Sequence, residues 1–458
     1  MYNNKIILIF IIILLIFLFY QYKNNLQFNV WLMNRLIVSR GILAPNCKWY
    51  NISDVLLGED SSGINIYKKY KEKYGDFAEC NMFNYKIYIV TNNIYIKTIL
   101  DNSPDLFSVG LLKKRFFKSF MSKNVGVSSG CPWKNRRYMN EYALDTDKLH
   151  RYSDKFNNDI YKELLNIKDK KQLEFNDFIN YGKKMVSKII FNTDEINDDV
   201  YKLFTEANTI KMFNDNNFKI NEKIYNNYIN TLNKYIDNPN KESLIELCLS
   251  VSNNKEEIIH QIPHFIFPIN GIFNTLVIPR LLLLLCNHPN EFKKVIDEVN
   301  NVNYTDYDIS KKIYNLEYLR KCILELLRLN NPVTTTFRTL TKDYSFDNKY
   351  SFKKGTQFLI LNNPVLRENE YYKEPDKFIP SRWTKEMEES YYAISFNQGP
   401  QQCPAKELSI FLTQSFIYNF IKIFNIGKFK MISCKKINTN KSPQIINPCK
   451  IKFEINDL

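Results

Sequence analysis

The chain has 458 residues, of which 45% are hydrophobic and 15% aromatic, so it can bury a large core and is not a disordered protein. Its net charge is +15, but the lysines are spread along the chain without a recognisable nucleic-acid-binding module, which argues against nucleic acid as a partner. The nine cysteines include no C-x-x-C pair and only four histidines are present. The sequence therefore predicts neither a zinc site nor a small disulfide scaffold, and it favours a reducing compartment.

The first predicted element is a membrane anchor over residues 1–23. The run from Ile6 to Tyr20 contains no charge, Gly or Pro, and it lies between Lys5 and Lys23. As a helix, the stretch between the lysines spans roughly 25 Å, slightly less than a hydrocarbon core of about 30 Å. It ends in bulky residues rather than the small residues of a cleavage site, so we expect it to be retained as an anchor.

More basic residues follow this run than precede it, which predicts a single-pass membrane protein with its large domain in the cytosol. Residues 24–50 are expected to be a linker, in which Phe28–Val38 could lie at the membrane interface as an amphipathic helix. One catalytic domain is expected over residues 51–458.

The predicted elements of this domain are mainly helices. In chain order they are a helix over Ile64–Tyr74, a strand over Tyr85–Val90, helical patterns from about 133 to 192 and from about 256 to 300, and strands within 343–360. Lys354-Gly355 is typical of a hairpin turn between two of these strands. The fold class is therefore mainly α with small β-sheets.

Cys403 lies in the most informative segment, a turn rich in Gly, Pro and amides that is followed directly by a helical pattern. The apolar stripe of that helix comprises Leu408, Phe411, Leu412, Phe416, Phe420 and Ile421. A thiol at a helix N-terminus faces unpaired N–H groups, which favour the thiolate. A thiolate on a rigid loop can bind a haem iron, whereas the alternative is a buried free cysteine at a turn.

Two segments after residue 320 predict a buried charge network. Glu325 and Arg328 are three residues apart on one helix and lie on the same face. Arg382, about 50 residues later, offers a second guanidinium in an irregular segment. One carboxylate shared by two arginines forms a satisfied network that can fix a loop.

Two further segments offer cations for an anionic group. Trp133 and Arg137 are four residues apart on one predicted helix face, where an indole N–H and a guanidinium can reach the same anion. Arg338 ends a strand of apolar and hydroxyl-bearing residues just beyond the Glu325 helix. Taken singly, each of these segments favours an ordinary surface contact over an anion site.

In this order and spacing, the segments resemble the cytochrome P-450 family, from about Tyr50 to the C-terminus. The resemblance implies a haem-thiolate domain that binds haem b with Cys403 as the axial ligand of the iron. It implies a structural lock behind the haem formed by Glu325, Arg328 and Arg382. It also implies a set of haem-contacting residues, namely Trp133, Arg137, Arg338, Phe396 and Gln401.

Two departures from the family pattern concern the reaction. Gln401 stands where the family usually has Arg or His, so one positive charge is lost, and Ala405 replaces the usual Gly. The acid–alcohol pair that normally relays protons to bound dioxygen falls at about Phe273-Asn274, so no acid is present and Thr275 is out of register by about two residues. The candidates for this role are Asn270, Asn274 and Thr275.

The resemblance implies a membrane-bound monooxygenase that takes electrons from a reductase or a ferredoxin-type protein and oxidises a small apolar substrate. Lys406 could help a basic face to steer that partner. The expected pocket lining is Phe107–Phe120, Phe265–Thr275 and Thr334–Phe337, with Thr334, Thr335 and Phe337 as specific candidates. The alternatives are a peroxide-using isomerase or lyase, since relatives of that kind also lack the pair, and a haem-binding protein without turnover.

Overall fold

The structure is a computed structural model. It describes residues 9–10, 12–16, 47–57, 63–82, 85–207, 219–305, 307–424, 429–431 and 445–455. Residues 9–10 and 12–16 are helical with exposed apolar side chains. The rest of the predicted anchor, and the predicted linker up to residue 46, lie outside the described residues.

Helices make up most of the described chain, as the sequence predicts. They are α1 (Cys47–Leu57), α2 (Ile64–Tyr74), α3 (Asn93–Asp101), α4 (Leu111–Met121), α5 (Gly130–Leu144), α6 (Ser153–Leu165), α7 (Phe175–Val186), α8 (Asp198–Ala207), α9 (Glu222–Asp237), α10 (Leu244–Leu249), α11 (Lys255–Ile266), α12 (Ile278–Asn287), α13 (Pro289–Asn300), α14 (Ile309–Tyr314), α15 (Glu317–Leu329), α16 (Asn362–Val365), α17 (Lys385–Glu389) and α18 (Lys406–Ile423). The predicted end of α2 is confirmed, because Gly75 caps it with φ 69°.

The strands form three small sheets. They are β1 (Phe77–Met82), β2 (Tyr85–Val90), β3 (Phe107–Val109), β4 (Gln172–Glu174), β5 (Thr335–Leu340), β6 (Tyr344–Phe346), β7 (Tyr350–Phe352), β8 (Gln357–Leu361), β9 (Phe429–Met431) and β10 (Lys452–Ile455). The largest sheet has the order β1-β2-β8-β5-β3, in which only β2 and β8 run parallel. The others are β4-β10-β9 and the hairpin β6-β7.

The predicted hairpin turn at Lys354-Gly355 is wrong. The hairpin is β6-β7, and its turn contains Asp347 and Asn348 with φ 49° and 52°. Positive φ at two consecutive residues suits the right-handed twist of a tight hairpin, and Asn and Asp tolerate it well. Gly355, with φ 90°, lies in the connection from β7 to β8, which belongs to another sheet.

A long central helix crosses the larger of two hydrophobic cores. It consists of α11, an 11-residue π-helical segment over Phe267–Val277, and α12. Pro268 interrupts the hydrogen-bond pattern of an α-helix, and it lies here in the wider π turns rather than at a break. Within the described chain this helix alone is long and apolar enough to cross a membrane, but 94% of its most apolar window is buried inside the protein. It is therefore a core helix.

One pair of cysteines is oxidised, contrary to the expectation of reduced thiols. Cys47, the first residue of α1, forms a disulfide with Cys449, 402 residues later, with 5.6 Å between their Cα atoms. Such a separation leaves no spacing pattern in the sequence by which the pair could be recognised.

His150 predicts how the stability of this fold depends on pH. Its buried ring donates from Nε2 to the Ala143 carbonyl and accepts at Nδ1 from the Tyr152 N–H, each at 3.0 Å. Burial lowers the pKa of His150 to about 4, below its ordinary value, so the unfolded chain takes up this proton first as the pH falls. We expect the free energy of unfolding to fall by about 3 kcal/mol between roughly pH 6.5 and 4 from this residue alone.

The test compares denaturant unfolding of the protein and of a His150→Gln variant across that pH range. The variant should be less stable at pH 7 but should lose less stability on acidification. If the free energy of unfolding fell equally with pH in the two proteins, His150 would not be the cause of this pH dependence.

Candidate functional site

Backbone contacts fix the position of the Cys403 loop. The Cys403 N–H donates to the Phe396 carbonyl at 2.8 Å, and Asn397 Nδ2 donates to the Gln401 carbonyl at 3.0 Å. Gly399 has φ 72°, and a Cβ there would lie 2.6 Å from the Leu100 carbonyl oxygen. Only glycine fits both constraints, so the loop is held tightly against the end of α3.

Opposing effects act on the pKa of the Cys403 thiol. Burial raises the pKa of its thiol, and the Ala405 N–H together with Arg137, Lys406 and Lys113 acts in the opposite direction. The backbone N–H near the start of α18 therefore acts in the predicted direction, but desolvation outweighs it and the net shift of the pKa is upward. A thiol that binds a metal ion is deprotonated by the ion itself.

The three residues of the predicted lock meet in a buried hydrogen-bond network around Glu325. Both carboxylate oxygens of Glu325 accept from Arg328 at 2.8 Å, and both side chains are fully buried. Arg382 Nε donates to the same carboxylate at 3.1 Å. Trp383 Nε1 and the Ile379 N–H add bonds of 2.9 and 3.0 Å, which the sequence did not reveal. The network joins α15 to the irregular chain before α17.

The two predicted anion-binding arginines have different surroundings. Arg137 donates to the Gln402 carbonyl at 2.6 Å and to Glu141 at 2.5 Å, which ties α5 to the cysteine loop, with the half-buried Trp133 one turn before it. Arg338 is buried and donates to Ser103 Oγ and to the Phe337 carbonyl, each at 2.9 Å. Burial lowers the pKa of Arg338 to about 10, and among the described residues no carboxylate lies in contact with it.

Lys113 is a third cation near Cys403 that the sequence analysis missed. A Cβ added to Gly126 would lie 3.4 Å from Lys113 Nζ and 3.6 Å from His264 Cε1, so α4 and α11 bring these two side chains to one place. Burial and the charge of Arg338 lower the pKa of Lys113 to about 8, while Cys403 acts in the opposite direction. Lys113 lies one turn before Phe117 on the buried face of α4, and a cation on an apolar helix face is the signal that could have identified it.

The three candidates for the proton relay are held by contacts within the helical core. Thr275 is fully buried, and its hydroxyl donates to the Asn270 and Gly271 carbonyls at 3.0 and 2.9 Å. Asn270 and Asn274 pack against α7, since a Cβ at Gly182 would lie 2.6 Å from Asn270 Oδ1 and 3.1 Å from Asn274 Cβ. The π-helical segment therefore places both amides against a neighbouring helix.

The pocket candidates on β5 divide between the two faces of the sheet. Arg338 pairs with Phe358 and Phe337 pairs with Leu359, so Thr336 shares the face of Arg338, whereas Thr335 shares the face of Phe337. Phe337 packs against the smaller hydrophobic core. Thr334 precedes the strand and its carbonyl accepts from the Asn362 N–H at 2.9 Å. Thr336, which was not among the predicted pocket residues, therefore lies on the same face of the sheet as Arg338.

The remaining predicted residues lie around the cysteine loop. The Phe396 ring stacks parallel to Phe273 with centroids 6.4 Å apart, which brings the loop to the central helix, and Gln401 is half-buried. Lys406 is not available to steer a partner, because its Nζ lies 2.7 Å from Glu388 and its side chain is only 12% exposed. Arg320 binds the same carboxylate, which completes a part-buried ion cluster.

The chain belongs to the cytochrome P450 family, because the model of that family matches residues 152–453, more than half of the chain. It is 29% identical over 149 residues to beta-amyrin 11-oxidase from Glycyrrhiza uralensis (31% of this chain, 30% of that protein). It is 28% identical over 151 residues to taxane 13-alpha-hydroxylase from Taxus cuspidata (32% and 31%), and 26% identical over 267 residues to cytochrome P450 3A17 from Cavia porcellus (57% and 48%). These alignments span between 30% and 48% of the relatives' length.

The residues around Cys403 fit the cofactor of this family, haem b with a cysteine thiolate ligand. Haem b contains an iron that the thiolate can bind and two carboxylates that can pair with cations. The structure offers Arg338 and Lys113, which lack a carboxylate partner in the part of the chain that is described, and Arg137, which shares Glu141. Buried cations without counter-ions are costly, so an anionic cofactor would stabilise this arrangement.

A Lys113→Met variant tests whether this lysine binds the cofactor. We expect haem affinity to fall about tenfold or more, because a charge-assisted bond to a carboxylate is lost. The haem-free protein should become more stable, since a buried ammonium group is removed. Haem transfer to apomyoglobin measures the first effect, and thermal unfolding of the haem-free protein measures the second.

Lys114→Met is the matched control, because Lys114 lies next on α4 and donates to Ser108 Oγ at 3.2 Å. It should keep the haem affinity of the unmodified chain. Equal haem affinity in all three proteins would show that Lys113 does not contact the cofactor.

Proposed function

We propose that this chain is a haem-thiolate monooxygenase that inserts one oxygen atom from O2 into an apolar organic substrate. The observation that carries the proposal is Cys403, which lies on a loop fixed by Gly399 and is surrounded by the cations Arg137, Lys113 and Lys406. A cysteine thiolate donates electron density to haem iron and so favours O–O cleavage. The names of the matched relatives, an oxidase and a hydroxylase among them, agree with this class of reaction.

In this proposal each residue of the site has a positioning or binding role. Cys403 binds the iron, while Arg137, Arg338 and Lys113 bind the propionates, with Trp133 and Gln401 as further contacts. Glu325, Arg328 and Arg382 hold the chain behind the cysteine loop in place. Thr334 and Thr336 line the substrate pocket on the face of Arg338.

The proposed setting is a membrane surface. Residues 1–23 would anchor a catalytic domain of residues 51–458 to the bilayer, and exposed apolar side chains such as Ile13 and Ile16 support this. The catalytic domain would then face the cytosol and receive electrons from a reductase or a ferredoxin-type protein. An apolar substrate could reach the pocket from the membrane.

One observation favours the peroxide-using isomerase or lyase as the second candidate. Asn270 and Asn274 pack against α7, and the Thr275 hydroxyl is bonded within its own helix. None of the three is then arranged to relay protons to bound dioxygen. The monooxygenase remains our proposal because an ordered water can relay protons in their place.

The two candidates differ in their need for electrons. The purified haem protein, in lipid vesicles, is given candidate apolar substrates either with reductase, NADPH and O2 or with a hydroperoxide alone. The monooxygenase predicts product only in the first case, together with consumption of O2. Conversion of a hydroperoxide without O2 or electrons would support the isomerase or lyase instead.

The role of Thr275 is measured in the same assay. Because the Thr275 hydroxyl is bonded within its own helix, Thr275→Ala should leave O2 consumption coupled to product formation. Thr413→Ala is the matched control, since Thr413 is as deeply buried and its hydroxyl also bonds to a carbonyl four residues earlier. Uncoupling in Thr275→Ala but not in Thr413→Ala would assign the relay to Thr275 rather than to water.

A further inference from the structure

The disulfide between Cys47 and Cys449 links the beginning of the described domain to its end. Cys47 begins α1, and Cys449 lies in the turn Pro448–Lys450 immediately before β10. Both cysteines are half-buried rather than enclosed in the core. The bond thus joins the first long helix of the described domain to its last strand.

The segment just before Cys449 is fastened to three parts of the fold. Asn447 Nδ2 donates to Asn51 Oδ1 of α1 at 2.9 Å. The Ile446 N–H donates to Asn330 Oδ1 at 2.8 Å, at the C-terminal end of the helix that carries Glu325. Arg280 Nε, in the long central helix, donates to the Ile446 carbonyl at 2.9 Å. Residues 445–449 therefore form a junction between α1, α15 and the central helix.

Four of the free cysteines in the described chain are poorly suited to react. Burial raises the pKa of Cys80, Cys248 and Cys286 to about 12, and Cys322 is fully buried. These thiols are weak nucleophiles at neutral pH. Cys131, at the start of α5, is exposed and serves as an internal comparison.

We propose that Cys47 and Cys449 form a thiol–disulfide site that controls how firmly the junction at residues 445–449 is held. In the oxidising direction, the Cys47 thiolate attacks a small-molecule disulfide such as oxidised glutathione and releases one thiol. The Cys449 thiolate then displaces the second thiol and closes the protein disulfide. Two protein thiols are oxidised and one small disulfide is reduced to two thiols.

Opening the bond removes the covalent link between α1 and the junction, while the Asn51–Asn447 hydrogen bond can remain. The closed form restricts the unfolded chain, because the bond closes a very long loop. Oxidation should therefore raise the thermal midpoint of the domain and slow local opening of residues 445–455. Reduction should leave the lock around Glu325 intact, since its contacts do not pass through the disulfide.

The test uses the full chain with haem bound, equilibrated in glutathione buffers of defined potential and then treated with N-ethylmaleimide. Mass spectrometry of the digest should find the Cys47 and Cys449 peptides joined in oxidising buffer and alkylated in reducing buffer, with Cys131 alkylated in both. Hydrogen exchange at residues 445–455 should be faster in the reduced protein. The thermal midpoint should fall by about 5 °C or more on reduction.

Variants separate the disulfide from other effects of reductant. Cys47→Ser and Cys449→Ser should each match the reduced protein in midpoint and in exchange, and neither should respond to the buffer potential. Cys131→Ser should behave like the unmodified chain. Alkylation of Cys47 and Cys449 in oxidising buffer, or an equal response to reductant in the Cys47→Ser variant, would overturn the proposal.

Discussion

Replacing Cys403 by serine should abolish turnover and remove the thiolate signature of the haem, while leaving the fold intact. Serine is nearly isosteric and keeps the backbone bond to the Phe396 carbonyl, so the loop should not move. It offers a hard alkoxide or hydroxyl in place of a soft thiolate and cannot donate comparable electron density. We expect a loss of at least about a thousandfold in turnover, which corresponds to roughly 4 kcal/mol in the barrier.

Haem content, the absorption spectrum and far-ultraviolet circular dichroism should be measured on the same sample. Cys131→Ser is the matched control, because Cys131 is exposed and should tolerate the change in all three measurements. A Cys403→Ser variant with an unaltered spectrum and undiminished turnover would mean that another residue binds the iron.

Replacing Glu325 by glutamine should destabilise the protein more than any other single substitution considered. The change keeps the shape of the side chain but leaves Arg328 and Arg382 without their shared negative charge in a buried environment. Removing one partner of a buried ion pair costs about 3–5 kcal/mol. That is a large part of the total stability of a typical domain, so we expect little folded protein and weak haem retention at 37 °C.

Asp343→Asn is the control for Glu325→Gln, because Asp343 forms an exposed pair with Lys353 at 2.8 Å. Exposed pairs contribute little, so its unfolding midpoint should match that of the unmodified chain. Denaturant unfolding followed by fluorescence gives both values. If Glu325→Gln were as stable as Asp343→Asn, the network around Glu325 would not be the structural element that holds the cysteine loop.

The Glu325 network shows what sequence could predict about the site. Helical periodicity places Arg328 beside Glu325, and both lie in the predicted helix. The contribution of Trp383 could not be predicted, because its indole reaches Glu325 only through the path of an irregular segment. Local periodicity therefore predicted the pair, and tertiary structure supplied the rest.

Lys113 and Cys449 show the opposite case. Lys113 comes near Cys403 only because α4 packs beside α11, and no local pattern connects residues so far apart in the chain. The partner of Cys449 is 402 residues away. The prediction of a hairpin turn at Lys354-Gly355 was wrong for a related reason. A turn sequence does not show whether the strands on either side of it belong to one sheet.

For the three proton-relay candidates, the sequence predicted the helix on which they lie but not the direction of their side chains. The sequence places Asn270, Asn274 and Thr275 on the central helix, but the direction of each side chain depends on the π-helical segment Phe267–Val277. Each i→i+5 turn rotates the following residues relative to an α-helix. An α-helical register count therefore could not show that the two amides pack against α7.

The absorption spectrum of the purified full chain, reduced and bound to carbon monoxide, shows whether Cys403 is the ligand of a haem iron. We predict about one haem b per chain and a Soret band at the long wavelength typical of thiolate-ligated haem, and we predict that Cys403→Ser lacks this band. A folded protein that retains no haem, or whose band lies at the position typical of a histidine ligand, would contradict the account.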